Sequence, residues 1–181
     1  MTQLPHHQMT GLDPNMDQIL QIHCICTDAL LNPLDTPGFG ATIHHPQSAL
    51  SQMDEWCTRT HAATGLTQAV LASTTTASEA ASSLLRYIQR FVPRAGEALL
   101  AGNSVHADRA FLAREPYDRV LRHLHYRILD VSSIKEAARR WGAEAVLKDV
   151  PRKEGAHEAR SDILESIEEA RFYKKAFFDE R

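Results

Sequence analysis

Apolar residues crowd one short stretch near the start of the chain. Ile19, Ile22, Cys24, Ile25 and Cys26 lie so close together that residues 19–27 predict a strand buried on both faces at one end. Residues 1–18 have no periodicity and read as loop, with Thr10-Gly11-Leu12-Asp13-Pro14 as a turn signal. Asn32-Pro33 and Pro37-Gly38 then punctuate, and residues 40–45 predict a second short strand. The connection is too short for a crossover helix, so the pair should be antiparallel. Ser48 can cap a helix carrying Leu50, Met53 and Trp56 at spacings of three, which puts Trp56 in the core.

Helical periodicity dominates afterwards. Thr76-x-x-Glu79 is a capping box for a helix presenting Leu84, Leu85, Ile88 and Phe91, and Pro93 ends it. Residues 98–101 form a brief apolar strand that stops at Gly102-Asn103; residues 106–114 read as helix and 126–131 as strand. Residues 132–141 are another helix with Gly142 as its stop, and a last helix after Gly155 carries Ile163, Ile167, Ala170 and Phe177. Strands first, then strands alternating with helices, imply an α/β layered domain with a mixed sheet.

Composition narrows the class. At 181 residues, with 43% hydrophobic and 24% charged, the chain is one domain's worth and not a disordered segment. It has no run of about 18 apolar residues, so no spanning helix is expected. Three cysteines (Cys24, Cys26, Cys57) without CxxC spacing argue against a disulfide scaffold or a thiolate zinc site and fit a reducing compartment. The net charge of −3 conceals an asymmetry: residues 1–80 hold one basic residue, Arg59, against seven acids, whereas the remainder holds nineteen against sixteen. A basic second half suits a polyanion or is simply a solvated helical surface.

Four places carry candidate chemistry. Gly102-Asn103-Ser104-Val105-His106-Ala107-Asp108 sits where a strand ends and a helix begins, and offers hydrogen-bond donors to an anion. Asp108 there is either a ligand or a favourable charge at a helix N-terminus. His157 and Asp162 can converge if His157 lies on the loop entering the helix, where a His beside carboxylates suits a general base. Trp56 and His61 have a spacing that also suits stacking on a base. In the run His125 to Ser133, Tyr126 supplies a stacking face and Arg127 a phosphate fork, or they are an edge-strand aromatic and an exposed charge. His6-His7 and His44-His45 lack companions at metal-ligand spacing.

In combination and order, these runs resemble one family. QMTGLDPNMDQILQIHCICTD, MDEWCTRTHAATGL, LLAGNSVHADRAFL, LHYRILDVSSIKEAARRW and HEARSDILESIEEARFY are similar to the oligoribonucleases, DEDDh 3′-to-5′ exonucleases, with GNSVH and HYRILDVSS closest to eukaryotic members. The resemblance implies a ribonuclease-H-like exonuclease fold, a homodimer, and hydrolysis of very short single-stranded RNA to 5′ mononucleotides with two Mg²⁺ or Mn²⁺ ions. It implies that Asp108 and Asp162 are metal carboxylates and His157 the general base. By the same resemblance Leu12 and Trp56 wedge against the bases, and His61 and Ser104 contact substrate. Tyr126, Arg127 and Ser132 would close over the terminal phosphate, the Tyr–Arg pair coming from the neighbouring subunit. Mitochondrion or cytoplasm is the implied compartment; with no Arg before Arg59, no transit peptide is visible.

The family opens with an apolar strand ending in Asp-x-Glu, where this sequence has His6 and Gln8. The expectation is therefore a divergent or truncated segment over 1–8, an exonuclease domain over 9–181, and a central strand that is short or missing. Three readings stay open: an active exoribonuclease, a catalytically silent relative that binds short RNA or a partner subunit, and an exonuclease acting on DNA.

Overall fold

The computed structural model describes residues 2–151 and 159–179. Among these, strands β1 (Thr2–Met9), β2 (Ile19–Thr27), β3 (Phe39–Thr42), β4 (Leu99–Gly102) and β5 (Ile128–Asp130) form one mixed sheet in the order β3-β2-β1-β4-β5. β1 to β3 are antiparallel; β4 and β5 run parallel to β1. The helices are α1 (Gln47–Leu50), α2 (Glu55–Ala63), α3 (Leu66–Ala72), α4 (Ala77–Phe91), α5 (Val105–Leu112), α6 (Asp118–His123), α7 (Val131–Trp141), α8 (Glu144–Leu147) and α9 (Ala159–Phe177).

Strand alternation builds a core on each face. Ile22, Cys24 and Leu100 pack against Leu84 and Ile88 of α4, Val105 and Leu112 of α5 and Val120 of α6. Their neighbours Ile25 and Ala101 face the other way, onto Val131 and Ala138 of α7 and Ile163, Ile167 and Tyr173 of α9. The layered α/β class is the expected one.

The first strand corrects the expectation. Residues 2–9 are neither loop nor missing: β1 is eight residues long and lies at the centre of the sheet. It pairs with β2 from Thr2↔Thr27 through Gln8↔Gln21, and with β4 at Thr2↔Leu99 and Gln3↔Leu100. The physical reason is non-local, since pairing with β2 along the whole strand, joined by β4 at Thr2 and Gln3, imposes the extended backbone whatever the local polarity.

Two further departures have local causes. The helix expected from Ser48 onward breaks after α1, and Asp54 caps α2 by accepting from the Cys57 N–H at 2.7 Å. The break shifts the helical phase and leaves Trp56 52% exposed instead of in the core. Residues 126 and 127 precede β5: the Tyr126 ring stacks on His125, the Arg127 guanidinium lies over Tyr126, and the Arg127 N–H donates to His125 Nδ1 instead of to a neighbouring strand. The capping box forms with both bonds: Thr76 Oγ1 accepts from the Glu79 N–H at 3.2 Å, and the Glu79 carboxylate accepts from the Thr76 N–H at 2.8 Å.

Candidate active site

β1, β4 and β5 run the same way and end at one edge of the sheet, the usual location for ligands in α/β folds. Past β1 the chain makes a tight loop. The Thr10 N–H donates to the Gln18 carbonyl at 3.0 Å, and the Asp17 carboxylate accepts from Thr10 Oγ1 at 2.7 Å and the Asp13 N–H at 2.9 Å. A Cβ on Gly11 would meet that carboxylate at 2.4 Å, so any larger residue would have to displace Asp17 from its bonds to Thr10 and Asp13. The loop leaves Leu12 82% exposed. His61 of α2 is buried, and its Nε2–H donates to the Met9 carbonyl at 2.9 Å, which fixes α2 to the end of β1. Asp17 also lies near enough to Cys57 to act on it: burial first, then Asp54 and Asp17, pushes that thiol up to about 11. The His61–Met9 bond thus sets α2, which carries Trp56, at the end of β1 from which the Leu12 loop departs.

The loop past β4 is bonded more densely. Ser104 holds a left-handed backbone (φ 53°) that non-glycine residues seldom adopt. Its N–H donates to Asp130 Oδ1 at 3.1 Å and Ser132 Oγ at 3.0 Å, while Asp130 caps α7 by accepting from the Ser132 N–H at 2.9 Å. Ser132 Oγ donates in turn to Asn103 Oδ1 at 3.3 Å. These groups border an open pocket of about 510 Å³ lined by Ser104, His106, Asp130, Ser132 and Arg140 among others. Asp108 is buried in the first turn of α5, and Asp162 is half-buried in the first turn of α9. Both helices pack on β1.

Tyr126 and Arg127 stand elsewhere. His125 donates its N–H to the Ala98 carbonyl, before β4 begins, so the pair flanks the opposite edge from Ser104 and Ser132. There the Tyr126 ring stacks on His125 (centroids 4.5 Å apart), the Arg127 guanidinium covers it at 4.9 Å, and Tyr126 is 69% exposed. His157 lies outside the described residues. Reading residues one by one missed Glu169, Lys135 and Tyr173, which bond to one another beneath Asn103. The signal was a polar stripe on α9, Asp162, Ser166, Glu169 and Tyr173, at helical spacing.

The fold and this strand-end edge define an exonuclease. The exonuclease family matches residues 9–170, and the structure of Escherichia coli exonuclease I in complex with a 5cy-dT13 oligonucleotide aligns with a TM-score of 0.69 at 16% identity, over 97% of this chain and 41% of that one. Within that class the chain belongs to the oligoribonuclease family. It is 46% identical over 171 residues to the oligoribonuclease of Vibrio cholerae, covering 94% of this chain and 92% of that protein. It is 45% identical over 172 residues to the mitochondrial oligoribonuclease of Saccharomyces cerevisiae, covering 92% of this chain but 63% of that longer protein.

Exonucleases of this kind generally use divalent metal ions. Asp108 and Asp162 are hard oxygen donors suited to such an ion. Among the described residues, however, no group of three or more His, Cys, Asp or Glu could hold a metal. His6 and Gln8 stand where the Asp-x-Glu pair would add two negative charges. With two carboxylates at Asp108 and Asp162, the described residues supply less negative charge than a pair of divalent ions calls for.

Proposed function

We propose that this chain is a 3′-to-5′ exoribonuclease that releases 5′ mononucleotides from very short RNA, acting as a homodimer with Mg²⁺ or Mn²⁺. The observation that carries this reading is the strand-end edge, where the locked Asn103–Ser104–Asp130–Ser132 corner shares one side of the sheet with exposed Leu12 and Trp56. Leu12 and the Trp56 ring offer apolar surface to one or two bases. Ser104 and Ser132 present hydroxyls to the 3′-terminal phosphodiester, and the strained Ser104 backbone keeps its hydroxyl beside that of Ser132 at 3.4 Å. Asp108 and Asp162 would hold the metal, and His157 would take the proton from the attacking water. A divalent ion held there would supply charge neutralisation at the phosphate and activation of the attacking water.

Two copies are invoked because Tyr126 and Arg127 flank the other edge of the sheet; in a dimer they reach the partner's substrate, stacking on a base and forking a phosphate. The mitochondrion is the proposed compartment, in keeping with the yeast relative's name. The deciding experiment is single-turnover hydrolysis of a ribodinucleotide, a longer oligoribonucleotide and a deoxydinucleotide, each with Mg²⁺ and with Mn²⁺. The ribodinucleotide should be cleaved fastest. No turnover with either ion, at concentrations where the ribodinucleotide still binds, would establish a silent binding protein instead; faster cleavage of the deoxydinucleotide would overturn the RNA assignment.

A further inference from the structure

The least expected charged group in the molecule is Glu169. It lies on α9 with 1% of its surface exposed, deeper than any other carboxylate among the buried residues. One of its oxygens accepts from Asn103 Nδ2 at 3.1 Å; the other meets Lys135 Nζ at 3.3 Å and the Tyr173 hydroxyl at 3.3 Å. Burial and this carboxylate together push the Tyr173 phenol up to about 12. Burying an ion pair seldom stabilises a fold more than apolar side chains of similar volume would, so stability alone is a weak reason for it.

Its connections point to a different role. Asn103 Nδ2 also donates to Ser166 Oγ at 3.1 Å, and Ser166 Oγ donates to the Asp162 carbonyl at 2.8 Å. On its other side Asn103 accepts from Ser132 Oγ, and it directly precedes the left-handed Ser104. We infer that Glu169 is a positioning residue: through Asn103 it sets the spacing between the loop that carries Ser104 and the helix that carries Asp162. It touches neither substrate nor metal, and its consequence for turnover rests on the function proposed above.

The test uses the full chain and four variants. Amide hydrogen exchange at Ser104 reads the loop directly, without substrate or metal. Glu169→Leu with Lys135→Met removes the ion pair while keeping apolar bulk; exchange at Ser104 should rise at least about tenfold, with Leu84 and Ile88 amides in α4 unchanged. Asn103→Asp sets two carboxylates against each other and should have the same effect. Asn103→Asp with Glu169→Gln restores one donor facing one acceptor and should return Ser104 exchange to within about threefold of the parent. Glu169→Gln alone should lie between these extremes. In ribodinucleotide hydrolysis, kcat should follow the same order, falling about 10- to 100-fold in the loosened variants with KM changed much less.

Unchanged Ser104 exchange in the Leu/Met variant, or no recovery in the swapped pair, overturns the proposal, as does exchange that rises equally in α4. If the parent chain fails to cleave RNA while exchange follows the predicted order, the functional reading falls and the positioning role stands.

Discussion

β1 and α4 belong to adjoining layers of the same domain and reach their conformations by opposite routes. α4 is specified by its own residues: a capping box at Thr76, an apolar face through Leu84 and Ile88, and a stop at Pro93. β1 is Thr-Gln-Leu-Pro-His-His-Gln-Met, polar and interrupted by proline, and owes its order to β2 and β4 on either side. One element carries local information and the other is a product of its surroundings. A helix of the first kind tolerates single substitutions, whereas the sheet depends on the second.

The largest expected effect follows directly. Deleting residues 2–8 leaves β2 and β4 without their shared neighbour and opens both cores at once. Thermal unfolding of the deleted chain should lose its cooperative transition, measured by circular dichroism. A deletion that still melts cooperatively within a few degrees of the parent would show that the centre of the sheet is dispensable.

Next comes chemistry on an intact strand. Because β1 pairs with β2 along its whole length, what residues 6 and 8 lack is charge and not an extended backbone. His6→Asp with Gln8→Glu should raise ribodinucleotide hydrolysis with Mg²⁺ by about 10²- to 10³-fold, the scale of one or more lost transition-state interactions. Had the strand been missing, the two carboxylates alone would have recovered little. Equal rates in the parent and the double variant would mean that another group already supplies the missing ligands.

How much could be read beforehand follows the same division. Residues 19–27, the Thr76 box and the end of β4 were readable because apolar runs, caps and breakers act over a few residues. β1 was not, since its cause lies in residues 19–27 and 99–102. Short helices α3, α6 and α8 are not legible in the sequence because their stability comes from packing, not from a long periodic face. The spacing that predicts Trp56 in the core is interrupted by the break before Asp54. At the site, the family resemblance supplied residue names, but it said nothing of Glu169, whose burial depends on how α9 meets Asn103.

Trp56 provides the third test. A half-exposed ring contributes little to the fold, so Trp56→Ala should leave the melting temperature nearly unchanged. Base–aromatic stacking of about 1–3 kcal/mol corresponds to a loss of roughly 5- to 150-fold in kcat/KM for a ribodinucleotide. A change of less than about twofold in activity, with a falling melting temperature, would make Trp56 a packing residue after all.

The smallest effect concerns the first turn of α4, where order is local. Thr76→Ala removes the hydroxyl that accepts from the Glu79 N–H and donates to the Glu79 carboxylate. Loss of an N-cap of this kind costs about 1 kcal/mol, or roughly 2–4 °C in a domain of this size. The deficit should also depend on pH. Hydrogen bonds from the Thr76 backbone, then its side chain, hold the Glu79 carboxyl below its ordinary value in the folded chain. A depressed carboxyl contributes stability that is fully present above its unfolded pKa and is lost as pH falls through the folded one. The gap between parent and variant should therefore be constant near neutrality and narrow below the ordinary glutamate range. It should not close, because Thr76 Oγ1 can still accept from the Glu79 N–H when the carboxyl is protonated. Melting curves of both chains from pH 7 down to the acid limit of folding would measure this; a gap that widens toward low pH would show that the capping box does not work through the Glu79 charge.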